Sequence, residues 1–149
     1  MNMTPARKQW TFAPHSGGSK IPRTLQLDTR SRIEKYAEQH YAGLYARIDV
    51  CFRGALCYVD AFTEPTAPSR DLLRSLGESL DEHLARLREI PTRLCRLRYF
   101  AGHGLWSVAL YSYSGERFEP CILPTGEYCG SPEECFALGA SFYLTHQAA

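Results

Sequence analysis

The sequence predicts an α+β domain: a single antiparallel sheet of five or six strands, arranged as a hairpin plus a meander, with three helices packed mainly on one face. Three observations carry this. Residues 44–62 and 93–123 alternate polar and apolar side chains at period two. Residues 24–41 and 69–90 repeat apolar side chains at helical spacing, and a capping signature opens a further helix at Ser131. Short glycine-bearing turns, not helical crossovers, join the strand-like runs, which makes neighbouring strands antiparallel.

Taken in order, residues 1–22 are rich in Gly, Ser and Pro and read as an irregular lead-in, with Trp10 and Phe12 as its anchors. Its glycines and Lys20 do not make a phosphate loop, because G-x-x-x-x-G-K-[ST] is absent and no strand precedes them. From Thr24 to Tyr41, Leu25, Ile33, Tyr36, Ala37, His40 and Tyr41 recur at helical spacing, and Gly43 supplies the stop. His40 reads as an interior or boundary histidine. Period two follows: Leu44, Ala46, Ile48, Val50 and Phe52 point one way, and Tyr45, Arg47, Asp49, Cys51 and Arg53 the other. Arg53-Gly54 reverses the chain into a second strand ending near Phe62.

After the Pro65–Pro68 linker, Ser69 caps a helix that Pro91 closes. Leu72, Leu73, Leu76, Leu80, Leu84 and Leu87 form its stripe, read as a core face, and Glu82 and Arg86 stand four apart as an ion pair. Strands are expected near Arg93–Phe100, Leu105–Tyr113 and Glu116–Leu123, with turns at Ala101–Gly104 and Ser114–Gly115 and a short strand near Tyr128. Ser131, Pro132 and Glu134 form a capping box with proline at the first helical position, and residues 143–149 read as a frayed tail.

At 149 residues the chain has the length of one ordinary domain, residues 1–149, and its balance of apolar and charged residues excludes wholesale disorder and fibrous repeats. No apolar run approaches the roughly 20 residues that span a bilayer, and the first residues hold no apolar signal core, so a cytoplasmic protein without membrane partners is expected. The six cysteines contain no C-x-x-C pair and are expected to be reduced. Cys121, Cys129 and Cys135 are too scattered for a usual zinc site, so neither metal nor cofactor is predicted. The net charge of +1 divides unevenly: residues 1–98 carry 16 basic against 11 acidic side chains, whereas residues 99–149 carry Arg117 against five glutamates. That polarity suits an anionic partner, although the two parts could equally neutralise each other in the fold.

The candidate site follows from the strands. Leu94, Arg96, Arg98 and Phe100 fall on one side of the third strand, expected to be the open face, where Arg47 and Arg53 join from the first and, if they share that face, Tyr111 and Tyr113 from the fourth. Guanidinium forks beside aromatic rings fit nucleic acid, since the first pair with phosphates and the second stack on bases. The same composition fits the centre of a protein–protein interface. A third reading has Asp49, Asp60 and the late glutamates simply pairing with these arginines across strands. For an enzyme, the weak candidates are His103 at a turn tip, as general base, and Asp49 with Asp60 on facing strands, a pair that could hold a divalent metal but lacks the further carboxylates or histidines a hydrolase site needs; no reaction is indicated. G-x-S-x-G and H-E-x-x-H are absent. The reading is a non-catalytic binding or accessory module, its partner nucleic acid or protein, and exposed edge strands leave a homodimer open.

Together "HYAGLYARIDVCFRGALCYVDAFTEP", "TRLCRLRYF", the Trp106 strand and "GSPEECF" resemble a family of small, uncharacterised bacterial proteins, from about Trp10 to Phe136. The resemblance implies a bacterial, cytoplasmic, self-contained domain. It brings no catalytic or ligand residue, because no activity is assigned to that family.

Overall fold

A computed structural model describes residues 13–144. Five strands are laid side by side in the order in which the chain makes them: β1 (Arg47–Arg53), β2 (Leu56–Phe62), β3 (Thr92–Phe100), β4 (Leu105–Ser112) and β5 (Arg117–Cys121). A two-residue strand, β6 (Cys129–Gly130), completes a six-stranded sheet in which every pairing is antiparallel. β5 covers Val108–Ser112 of β4, and β6 covers Trp106 and Ser107. The Gly54-Ala55 turn sets Arg53 opposite Leu56, and that register carries Ile48, Val50, Val59, Leu97 and Val108 to one face.

This face is covered by α1 (Arg23–Tyr41) and α4 (Pro132–Tyr143), which bury Ile33, Ala37, Phe136 and Ala140 against it. Full burial of each large apolar side chain there contributes about 1.5–3 kcal/mol relative to exposure. α4 opens with the expected reciprocal cap: Glu134 N–H donates to Ser131 Oγ (3.1 Å) and Ser131 N–H to Glu134 Oε1 (2.8 Å). The helix continues through Tyr143, whose hydroxyl donates to the Tyr111 carbonyl, and Leu144 is buried, so the chain is still packed at residues read as tail.

Three expectations are corrected. The helix expected from Ser69 to Pro91 is two helices, α2 (Arg70–Leu76) and α3 (Leu80–Arg88), which makes four among the described residues. Gly77, left-handed at φ 70°, ends the first, and Ser79 caps the second in a box with Glu82. Glu82 therefore serves the cap, while Arg86 pairs with Glu78 (2.9 Å). Nor is the leucine stripe a core face: Leu72, Leu76 and Leu80 are 44%, 49% and 43% exposed, and of these two helices only His83 is buried. Lastly, a bulge between the pairs Val59–Cys95 and Asp60–Arg93 leaves Leu94 as an extra residue. Leu94 is buried in the core instead of lying beside the arginines, and Arg93 takes the place opposite Asp60. The proposed anchors Trp10 and Phe12 lie outside the described residues.

Candidate anion-binding face

Directly opposed residues of an antiparallel sheet share a face, so the register sorts the uncovered side into rows. At the end bearing the β1–β2 turn the row is Arg53, Leu56, Arg98, Ser107 and Cys129. The next is Cys51, Tyr58, Arg96, Ala109 and Pro120. Beyond it Asp49, Asp60 and Arg93 line up, with Tyr111 opposite Phe118. Alternate positions on β3 lie about 7 Å apart, so Arg96 and Arg98 form a stacked pair of like charges.

The rows differ in charge balance. Arg47 reaches Asp49 (3.2 Å) and lies over the Phe62 ring, at 3.9 Å, so it is engaged within the edge strand pair. Arg93 reaches Asp60 (3.6 Å) and sits over Tyr111. Burial raises the Asp60 carboxyl above its usual range, an effect that Arg93 opposes and facing Asp49 reinforces. Toward the turn, Arg96 lies over the ring of Phe118, 5.1 Å away, and Arg98 donates from Nη1 to the Gly17 carbonyl (2.8 Å). Among the described residues no carboxylate pairs with Arg53, Arg96 or Arg98. Arg98 has its pKa lowered, first by burial and then by the like charge of Arg96.

The lead-in chain crosses this end of the face. His15 meets the Tyr128 ring edge-on at 5.6 Å, Gly17 accepts from Arg98, Ser19 N–H donates to the Tyr99 carbonyl (2.8 Å), and Ile21 N–H donates to the Gly54 carbonyl (3.0 Å). Residues 13–20 thus form a strap running across the strands from β6 to the β1–β2 turn. Gly18 lies flat on the sheet at φ 96°, where a Cβ would come within 2.7 Å of the Tyr99 carbonyl oxygen. Within the strap, His15 has its pKa lowered by burial and then by Arg98 and Arg96.

The aromatic part differs in detail from the expectation. Tyr111 and Phe118 pack edge to face at 5.1 Å, and Tyr58 meets Phe118 at 5.7 Å, so Phe118 is the hub of the cluster. Tyr113 lies beyond the end of β4; its hydroxyl accepts from Arg93 N–H (2.7 Å), and it stands 51% exposed at the far end of the sheet from the unpaired arginines. Sequence reasoning missed Tyr58, Phe118, Tyr128 and His15. The alternation Leu56, Tyr58, Asp60 contained the signal for Tyr58, whereas His15 had none.

Other candidates are weaker. Asp49 and Asp60 do face each other, but each has an arginine beside it. His103 is exposed in the β3–β4 turn, where its N–H donates to the Phe100 carbonyl (3.1 Å). Among the described residues no group of three or more His, Cys, Asp or Glu side chains could hold a metal ion. All six cysteines are free, and burial raises the Cys57 thiol to about 12 and drives Cys95 and Cys135 up as well, so these three are poor nucleophiles. A cleft of about 390 Å³ between α1 and α4 is lined by Tyr36, Tyr41, Leu123 and Leu138, but Glu133 at its rim is committed to Arg32 (2.7 Å) and Glu134 to the helix cap. No described helix is long and apolar enough to cross a membrane. No protein-family model, curated protein or solved structure matches the chain.

Proposed function

We propose that the protein is a non-catalytic binding module whose open sheet face takes single-stranded nucleic acid. Arg53, Arg96 and Arg98 pair with phosphates, and the rings of Tyr58, Phe118 and Tyr128 offer surfaces against which bases pack. One observation carries this reading: among the described residues, three neighbouring guanidiniums lack a carboxylate on a face whose other arginines, Arg47 and Arg93, both have one. Holding like charges together without counter-ions costs stability, and a ligand bearing several negative charges removes that cost.

The test is fluorescence anisotropy of labelled single-stranded DNA and RNA across a salt series. Each phosphate neutralised on a single strand contributes about −0.7 to the log–log salt slope, so three arginines predict about −2 and Arg96→Glu/Arg98→Glu about −0.7. Absence of binding at low salt, or a slope indifferent to that double substitution in a folded protein, would sink the reading.

A protein partner is the second reading, and the exposed Leu72, Leu76 and Leu80 of α2 and α3 favour it. It predicts weak salt dependence, with binding that survives Arg96→Glu/Arg98→Glu and is lost on Leu72→Glu/Leu76→Glu.

A further inference from the structure

We propose that the strap and the rows beneath it form a phosphate-monoester site, held by Arg96, Arg98 and the His15 imidazole, at which the nucleic acid of the preceding reading is bound by a phosphorylated end. The inference rests on that reading for the source of the phosphate, but its geometry stands apart from it.

The strap decides where along the face the anion sits. It crosses the strands at the Arg98 row, tied to Tyr99, Ala101 and Gly54 by hydrogen bonds of 2.8, 3.1 and 3.0 Å. A strand of nucleic acid lying along β3 from the Phe118 end therefore meets a wall at Gly17 and Gly18, and its terminus comes to rest there. The Gly17 carbonyl also fixes the Arg98 fork through one N–H, leaving the guanidinium's other donors for a ligand. Arg98 is held at the wall by Gly17, Arg96 stands one row along β3 with its guanidinium over Phe118, and the titratable His15 ring of the strap packs on the Tyr128 ring close enough to feel both arginines, neither of which has a carboxylate partner among the described residues.

Charge count then selects the ligand. An internal phosphodiester carries one negative charge, whereas a monoester carries between one and two near neutral pH, its second ionisation falling at about pH 6. The monoester is thus the better match to two arginines and a histidine that can add a third charge. His15 is held below its ordinary pKa by burial, Arg98 and Arg96; an arriving dianion offsets the two arginines and lifts it, so binding takes up a proton and tightens as pH falls.

The experiment compares a labelled oligothymidylate carrying a 5′-phosphate, a 3′-phosphate or neither, at about pH 8 and about pH 6.5. Alongside it, the His15 ring is titrated by NMR in chloride and in inorganic phosphate at equal ionic strength. One phosphorylated end is expected to bind about tenfold tighter than the unmodified oligonucleotide, with the advantage larger at the lower pH and abolished in Arg96→Gln/Arg98→Gln. Phosphate is expected to raise the His15 midpoint. Because His15→Ala could loosen the strap, the NMR titration of the unaltered protein decides the role of the ring. Equal affinity for all three ends with an arginine-dependent salt slope overturns this inference and leaves the nucleic-acid reading standing. A His15 midpoint indifferent to phosphate also overturns it. If no oligonucleotide binds but phosphate still raises the midpoint, the monoester site stands and the nucleic-acid reading falls.

Discussion

At one end of the open sheet face, Arg47 and Arg93 each stand beside a carboxylate, Asp49 two residues along the same strand and Asp60 across from Arg93 on the next; at the other, Arg53, Arg96 and Arg98 have none among the described residues. The residue types and the strands are the same. The balanced end lowers the cost of two facing aspartates by matching each with a cation. The unbalanced end gains nothing comparable from its arginines, holds Arg96 and Arg98 as adjacent like charges on one strand, and covers them with a chain that supplies a neutral carbonyl instead of an acid. Charge arranged against the stability of the fold is the observation on which the proposed ligand face rests.

The largest effect is expected where the strap meets the sheet. Gly18→Val would place a branched Cβ against the Tyr99 carbonyl at a backbone angle that L-residues rarely adopt, with Ala55 Cβ and Arg98 Cγ each only 3.1 Å away. The expected loss is about 2–3 kcal/mol in urea unfolding if the strap stays docked. If it lifts away instead, His15 regains its ordinary pKa, which an NMR titration reads directly. A Gly18→Val protein with unchanged stability and an unchanged His15 midpoint would remove the strap from the comparison and leave two ends that differ by charge alone.

Much of this arrangement was legible in the sequence, and the parts that were not escaped it for separate physical reasons. The Arg53-Gly54 reversal gave the hairpin its register, and from there period two placed Arg96 and Arg98 on the open side. Ser131, Pro132 and Glu134 announced α4, whose reciprocal cap is present. The break between α2 and α3 was also written there, as Gly77 followed by Ser79 and Glu82, but leucine periodicity runs through the break and masks it. Exposure of those leucines could not be foreseen, since periodicity reports a shared face and not what covers it. The bulge at Leu94 adds one residue without any compositional mark. The contact of Arg98 with Gly17 spans 81 positions, and no local rule reaches that far. At the candidate site itself, what escaped the sequence was long-range pairing: the bulge that sets Arg93 beside Asp60 and the contact of Arg98 with Gly17.

The balanced end should be the more sensitive to loss of an arginine. Arg93→Ala leaves Asp60, with 21% of its side chain exposed, opposite Asp49 and without the cation that pairs with it, and about 1–2 kcal/mol of destabilisation is expected near neutral pH. The sign with pH follows from the raised Asp60 pKa: the folded state binds its proton more readily than the unfolded chain, so this group's contribution to stability falls as pH rises through the folded value. Removing Arg93 raises that value further. The penalty should therefore shrink in acid, where neutral Asp60 needs no partner, and urea titrations on either side of the Asp60 ionisation, followed by carboxyl-carbon NMR, check it. A penalty equal at both pH values would mean that Arg93 acts through its packing on Tyr111 and not through charge.

At the unbalanced end the corresponding change should cost almost nothing. Arg96→Gln/Arg98→Gln removes two adjacent like charges that no carboxylate holds, while the shorter side chains keep most of the aliphatic cover over Ser107 and Ala109, both nearly inaccessible on this face. Relief of repulsion offsets the loss of the Gly17 contact and of the packing of Arg96 on Phe118, each small for groups open to solvent. The net change in unfolding free energy is expected to lie within about 0.5 kcal/mol of zero, on the favourable side at low salt, where repulsion is least screened. Added phosphate sharpens the point. It should stabilise the unaltered protein by mass action on the folded state and leave the double variant unmoved, so the two melting curves separate only when the anion is present. A double variant destabilised as much as Arg93→Ala, with no response to phosphate in either protein, would show both ends of the face to be structural, and the missing carboxylates would then carry no functional meaning.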